Sequence, residues 1–82
     1  MTGFETLVAE VVEATITDNA EMVAAWQAGT PKSWGYLAGR AVGSTRGRLN
    51  RTLTDEERRL VWAMLWAKLQ ELRRSSAQSS GG

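Results

Sequence analysis

Four glycines at a spacing of four residues restrict how this chain can fold more than any other feature of its sequence. They are Gly35, Gly39, Gly43 and Gly47. At about 3.6 residues per turn, this spacing places them along one side of a helix. Each glycine inside a helix costs roughly 1 kcal/mol relative to alanine. The pattern therefore predicts a helix whose bare side is used for close approach to its backbone.

Charge is distributed unevenly along the chain. Residues 1–31 contain five acidic residues and no basic one, whereas residues 32–51 contain five basic residues and no acidic one. A partner recognised by charge is therefore expected to be anionic and to contact the middle block. The net charge of +1 conceals this separation. The basic residues of the block are Lys32, Arg40, Arg46, Arg48 and Arg51.

Size and composition exclude several classes of protein. A chain of 82 residues that is 43% hydrophobic fits one small domain. It has no cysteine and no histidine, so thiolate and imidazole metal ligands and the usual nucleophile and base pairs are missing. We therefore expect no enzymatic activity, no cofactor and no small-molecule substrate. No apolar run approaches the roughly 20 residues that span a bilayer, and the start does not resemble a signal peptide. We expect no membrane partner and a cytoplasmic location.

Apolar periodicity and capping signals predict an all-α fold, a small compact bundle of about four helices. Thr2 with Glu5, and Thr54 with Glu57, have the spacing of a capping box. Gly29 is expected to end the second helix. The helical domain is predicted to span residues 1–74, and the polar residues 75–82 are expected to be disordered. The predicted helix starts are Thr2, Asp18, Pro31 and Thr54.

The predicted third helix has two different sides. One side is an apolar stripe that is expected to face the core. The glycines lie roughly opposite, with Lys32 and Arg46 beside them and Arg40 along one margin. In the alternative interpretation, the small residues let another helix of the same domain pack closely. Residues 44–51 are expected to leave the helix as a basic loop, with Gly47 in a left-handed conformation. The apolar stripe consists of Trp34, Leu37, Ala38, Ala41, Val42 and Thr45.

The predicted fourth helix carries two of the four tryptophans. We expect Trp62 and Trp66 to fill the core rather than to stack on bases. Leu60 and Met64 lie on another side of this helix, where they are either buried or available to a neighbouring domain. The predicted core stripe is Trp62, Leu65, Trp66, Leu69 and Leu72.

The order of residues from 18 to 50 resembles that of the GatB/YqeY tail domain. The similarity runs without a gap and includes the spaced glycines and the ending Thr45-x-Gly47-x-x-Asn50. The other residues that carry it are Asp18, Asn19, Val23, Trp26, Gly29, Lys32, Gly35, Tyr36, Leu37 and Gly39. Departures from the family pattern are Arg40 in place of glutamine, Val42 in place of methionine, Gly43 in place of lysine and Arg51 in place of proline.

The resemblance implies a small, non-catalytic helical module that contacts tRNA. In this family the module forms the C-terminal end of one subunit of the tRNA-dependent amidotransferase, or is appended to some bacterial glutaminyl-tRNA synthetases. There it is thought to grip the outer corner of the tRNA near the D-loop. The resemblance therefore implies two partners, tRNA and a parent enzyme or neighbouring domain.

The sequence leads to one hypothesis and one alternative. The hypothesis is that the third helix and the following loop hold the tRNA backbone, with glycines allowing approach and basic residues supplying charge. In the alternative, the same face or the Leu60 and Met64 patch docks a protein helix, and the arginines are merely solvated. The candidate RNA-binding residues are Lys32, Gly35, Gly39, Arg40, Gly43, Thr45, Arg46, Gly47, Arg48 and Arg51.

Overall fold

The computed structural model describes residues 3–80, with side chains as far as residue 75. Within this range the chain forms four helices and no strand, so the predicted all-α bundle is confirmed. The capping residue predicted for the first helix, Thr2, lies outside the described residues. The helices are α1 (Gly3–Asp18), α2 (Ala20–Gln27), α3 (Ser33–Leu49) and α4 (Asp55–Ser80).

The short helix α2 is bounded by two local motifs. At its start, Asn19 donates a hydrogen bond from Nδ2 to the Thr15 carbonyl at 2.8 Å, and the Asn19 carbonyl accepts from the amides of Met22 and Val23. Asn19 therefore ends α1 and begins α2, one residue after the predicted start. At the other end, Gly29 has a φ of +82°, as predicted for a helix stop. The Gly29 and Thr30 amides donate to the Trp26 and Ala25 carbonyls, which completes a Schellman motif.

Both ends of α3 differ from the prediction. Pro31 and Lys32 form a turn, Lys32 has a left-handed φ of 70°, and the helix begins at Ser33. Ser33 is buried, and its hydroxyl donates to the Thr30 carbonyl at 2.7 Å, which holds this turn closed. At the other end, the helix continues through the expected basic loop to Leu49, and the left-handed residue is Asn50, with a φ of 55°. The longer helix packs Leu49 against the core, and asparagine tolerates the left-handed conformation well.

Helix α3 is central and packs against each of the other three helices. Its apolar stripe faces the core as predicted, with four members buried and Trp34 and Val42 partly buried. Helix α1 contributes three valines to the core, and Leu53 in the connection before α4 is 5% exposed. The largest completely buried side chains are Leu37, Leu65, Leu69, Val8, Val11, Val61 and Thr45.

Helix α4 begins as predicted but is rotated about its axis relative to the prediction. The Glu57 amide donates to Thr54 Oγ1 at 3.1 Å and the Thr54 amide donates to Glu57 Oε1 at 2.9 Å, so the predicted capping box is present. The buried line is Val61, Leu65 and Leu69, spaced four residues apart. The expectation that both tryptophans of α4 fill the core was wrong. Trp62 is 40% exposed and Trp66 is 46% exposed, because they lie about 100° around the helix from Val61 and Leu65.

The end of α4 lies beyond the predicted boundary. The helix continues to Ser80, so the stretch expected to be disordered from residue 75 is helical as far as the structure describes it. No glycine or proline interrupts the sequence between residues 55 and 80, which leaves nothing local to stop the helix. Among the described residues, no helix is both long enough and apolar enough to cross a bilayer.

Candidate nucleic-acid interface

The side of α3 that carries the four glycines is open to solvent, and we call it the glycine face. Gly35, Gly39 and Gly47 are exposed and Gly43 is partly exposed. A Cβ atom built at any of the four would have no atom of another element within 4 Å. Close packing against another helix within the described part of the chain is therefore not the reason for these glycines. The main chain of α3 is accessible along about three turns.

Arg46 lies on the glycine face, and Arg40 lies along one margin of it. Arg46 follows Gly39 by seven residues and therefore lies on the same side of the helix as Gly39. Arg40 lies about 100° around the helix axis from Gly39. Both are exposed, and so is Lys32 in the turn before α3. Within residues 3–75, none of the three takes part in an ion pair. These three cations are therefore available to an anionic partner.

The other two predicted basic contacts are already paired with acids of this chain. Arg48 lies 3.5 Å from Glu10 of α1, an exposed pair that contributes little. Arg51 forms a bidentate pair with Glu57, with Nη1 to Oε1 at 2.8 Å and Nη2 to Oε2 at 2.7 Å. Arg51 Nη1 also donates to the Thr52 carbonyl at 3.2 Å. Arg51 is thus held in the connection between α3 and α4 rather than free to bind phosphate.

The pKa of Glu57 is well below that of an ordinary glutamate. Its hydrogen bonds from Arg51 and then from the Thr54 amide lower its pKa from the ordinary 4.5 to about 2. The same hydrogen bond raises the pKa of Arg51. Arg51 is exposed and Glu57 is partly exposed, so solvent screens their attraction. The pair nonetheless remains ionised across the neutral range and keeps one positive charge neutralised beside the end of α3.

Thr45 is not accessible on the surface of α3. Its side chain is completely buried, and Oγ1 donates to the Ala41 carbonyl at 2.9 Å within the helix. The prediction of Thr45 as an RNA-binding residue was therefore wrong. Gly47 lies inside α3 with a helical φ, so the interpretation of Gly47 as a left-handed turn was also wrong. It remains part of the glycine face.

A groove runs between α3 and the first half of α4, and we call it the α3–α4 groove. Its volume is about 410 Å³, and its lining is mostly apolar. Gly35 and Gly39 form part of one wall, and the exposed indole of Trp62 and the side chain of Arg58 form part of the other. The groove therefore joins the glycine face to an aromatic surface. Farther along α3 is a more polar depression lined by Gly43, Arg46, Gly47, Asn50, Arg51 and Thr52.

The second exposed tryptophan of α4 belongs to an aromatic cluster instead. The Trp66 ring meets Trp26 and Trp34 edge to face, with centroids 5.5 Å and 5.3 Å apart. The Arg73 guanidinium lies 5.7 Å from the centroid of Trp26 on the same cluster. These contacts fix Trp66 between α2 and α3. Trp62 is in no such ring contact within the described residues.

Sequence reasoning missed the exposure of Trp62. The periodicity of α4 fits a stripe through Leu65 and Leu69 whether Val61 or Trp62 is its next member. Trp62 and Val61 lie three and four positions before Leu65, and both spacings place a residue on the same side of a helix, so no local signal separates them. Comparisons with protein families, with curated proteins and with solved structures found no match to this chain.

Proposed function

We propose that this domain is a non-catalytic module that binds tRNA through its glycine face. The observation that carries the proposal is the open space at Gly35, Gly39 and Gly43, where nothing lies within 4 Å of a Cβ position. Phosphate oxygens can approach the α3 backbone there, and neighbouring guanidinium groups can bind them. Because such contacts address the phosphates rather than base edges, the domain recognises mainly the shape of the RNA.

The basic residues contribute unequally in this proposal. Lys32, Arg40 and Arg46 are exposed and free of ion pairs within residues 3–75, so they supply most of the charge. Arg48 contributes after release from its loose pair with Glu10. Arg51 contributes least, because binding phosphate would break its bidentate pair with Glu57.

The choice of tRNA among polyanions rests on the resemblance of residues 18–50 to the GatB/YqeY tail domain. By that likeness, the contact lies near the outer corner of the tRNA on the D-loop side. The chemistry belongs to a parent enzyme, a tRNA-dependent amidotransferase or a glutaminyl-tRNA synthetase. A weak contact suffices in such a setting, because tethering to the enzyme raises the effective concentration of the module.

The test is a titration of a labelled tRNA transcript with the protein at several salt concentrations. Binding should weaken steeply with salt, because each neutralised phosphate releases counterions. Arg40→Glu and Arg46→Glu should each weaken binding about tenfold or more and reduce the salt slope by about one. Arg74→Glu is the matched control, since Arg74 is exposed on α4 and lines neither the α3–α4 groove nor the depression beside Arg46. Binding that is absent, indifferent to salt or equally sensitive to Arg74→Glu would refute the proposal.

Docking of a protein helix is the second candidate, and the apolar lining of the α3–α4 groove favours it. Helices with small residues allow close approach of a partner helix, and an exposed tryptophan is a typical anchor at protein interfaces. Such binding should resist salt. Arg40→Glu and Arg46→Glu should then leave it largely intact, which separates the two candidates.

A further inference from the structure

Trp62 is exposed, and its ring forms no aromatic pair within the described residues. It is 40% exposed and lines the α3–α4 groove opposite Gly35 and Gly39. An exposed indole has an apolar cost in water that a smaller or polar side chain at this position would avoid. Trp66, four residues later, is similarly exposed but is held edge to face by two other tryptophans.

The charge around the groove favours an anionic occupant. Arg58 is the ionised side chain in its lining, and its pair with Asp55 at 2.6 Å occupies only one of its nitrogens among the described contacts. Arg46 lies on the same side of α3, one turn beyond Val42 of the groove wall. Residues 32–51 contain no acid. An occupant with a flat apolar part and a negative charge therefore fits better than a neutral apolar helix.

We infer that the α3–α4 groove holds an unpaired nucleotide of the bound RNA, whose base stacks on the Trp62 indole while its phosphate lies against Gly35 and Gly39. This inference rests on the proposed RNA binding and adds a chemical class to it, RNA with unstacked bases. Bases within a duplex are stacked on one another and offer no free face, whereas bases in loops can be splayed onto aromatic side chains. The volume of about 410 Å³ is within the range of sites that bind small ligands.

The experiment compares three labelled probes, a tRNA transcript, a single strand of oligouridine and a blunt RNA duplex of the same length. Trp62→Leu should weaken binding of oligouridine and tRNA about tenfold, because it removes the stacking face, and should leave duplex binding unchanged. Trp62→Phe keeps an aromatic face and should retain most of the affinity. Trp66→Phe is the matched control for Trp62→Phe, because Trp66 is similarly exposed, does not line the groove, and keeps an aromatic ring beside Trp34 of the groove lining after this substitution. It should leave the affinity for all three probes unchanged.

A spectroscopic signal provides a second measurement that does not depend on the stability of Trp62→Leu. Oligouridine should quench the tryptophan emission of the natural protein, and Trp62→Phe should bind while losing most of that quenching. Circular dichroism establishes that each variant is folded at the temperature used.

The outcomes separate this inference from the proposed function. If Arg46→Glu weakens RNA binding but Trp62→Leu and Trp62→Phe leave affinity and quenching unchanged, base stacking is refuted and phosphate binding stands. Equal weakening of duplex and single strand by Trp62→Leu also refutes stacking. If no RNA probe binds the natural protein, both proposals fail. Selective binding of an acidic amphipathic peptide, lost in Trp62→Leu, would assign the groove to a protein partner instead.

Discussion

Replacing the open glycines of α3 by alanine should stabilise the domain and impair its function. Gly35, Gly39 and Gly43 lie inside a helix, and a Cβ atom at each meets nothing within 4 Å. The substitution therefore brings no clash, while alanine is favoured over glycine in a helix by about 1 kcal/mol. The triple variant should gain about 3 kcal/mol in the free energy of unfolding. For a domain of this size, that corresponds to a rise in melting temperature of roughly 12–24 °C.

The assay is urea and thermal unfolding followed by circular dichroism, with Gly29→Ala as the control. Gly29 also has nothing within 4 Å of its Cβ position, but its φ is +82°. Alanine is strained in that conformation, so Gly29→Ala should destabilise the domain by about 1–2 kcal/mol. The α3 glycines and Gly29 have the same free space, yet their replacement by alanine should change the free energy of unfolding in opposite directions. Backbone conformation is then the cause of the difference.

The same triple variant should bind tRNA more weakly, because three methyl groups hold the phosphates away from the main chain. Stability and affinity then change in opposite directions, which a purely structural role of the glycines does not produce. A triple variant that is less stable than the natural protein would refute the reasoning, since it would mean that the glycine face is covered in solution. A stabilised variant with unchanged affinity would remove the glycines from the RNA contact.

Four further substitutions test individual contacts. The lowered pKa of Glu57 means that its pairing stabilises the fold above the unfolded pKa near 4.5 and that this contribution is lost as pH falls toward about 2. The difference in unfolding free energy between the natural protein and Glu57→Gln should therefore be constant at neutral pH and shrink below about 4.5; a constant difference down to pH 2 would contradict the pairing. Thr45→Val should leave tRNA affinity unchanged in the same titration, because the hydroxyl is buried and bonded to Ala41, and a large loss would return Thr45 to the interface. Leu65→Ala should cost about 2–5 kcal/mol and Trp62→Leu less than about 1 kcal/mol in urea unfolding; the reverse order would place Trp62 in the core.

The features predicted correctly from the sequence are those that local interactions decide. The capping box of Thr54 and Glu57 and the helix stop at Gly29 involve residues within a few positions of one another. The core side of α3 follows from a long, regular stripe. The errors at the two ends of α3 arise because a turn at Lys32 and a left-handed Asn50 compete closely with the predicted alternatives.

The features that could not be predicted depend on how the helices meet. The rotation of α4 is set by packing of Val61 and its line of leucines against α1 and α3, which no local pattern distinguishes from burial of Trp62. Arg48 is paired with an acid of α1 far away in the sequence. Whether the glycine face is open to solvent likewise depends on how the helices pack. Its alternative, internal packing against another helix, was equally compatible with the spacing.

The stability of the domain itself argues for an external use of the glycine face. Net stabilities of small domains are typically about 5–15 kcal/mol, so three glycines that together cost about 3 kcal/mol remove a substantial part of it. Within the described residues no neighbour fills the space that their side chains would occupy. Arg40 and Arg46 lie beside that space and form no ion pair within residues 3–75, whereas Arg48 and Arg51 are paired with Glu10 and Glu57. An anion that approaches the main chain of α3 accounts for both the missing side chains and the unpaired charge, whereas an apolar partner helix accounts only for the first.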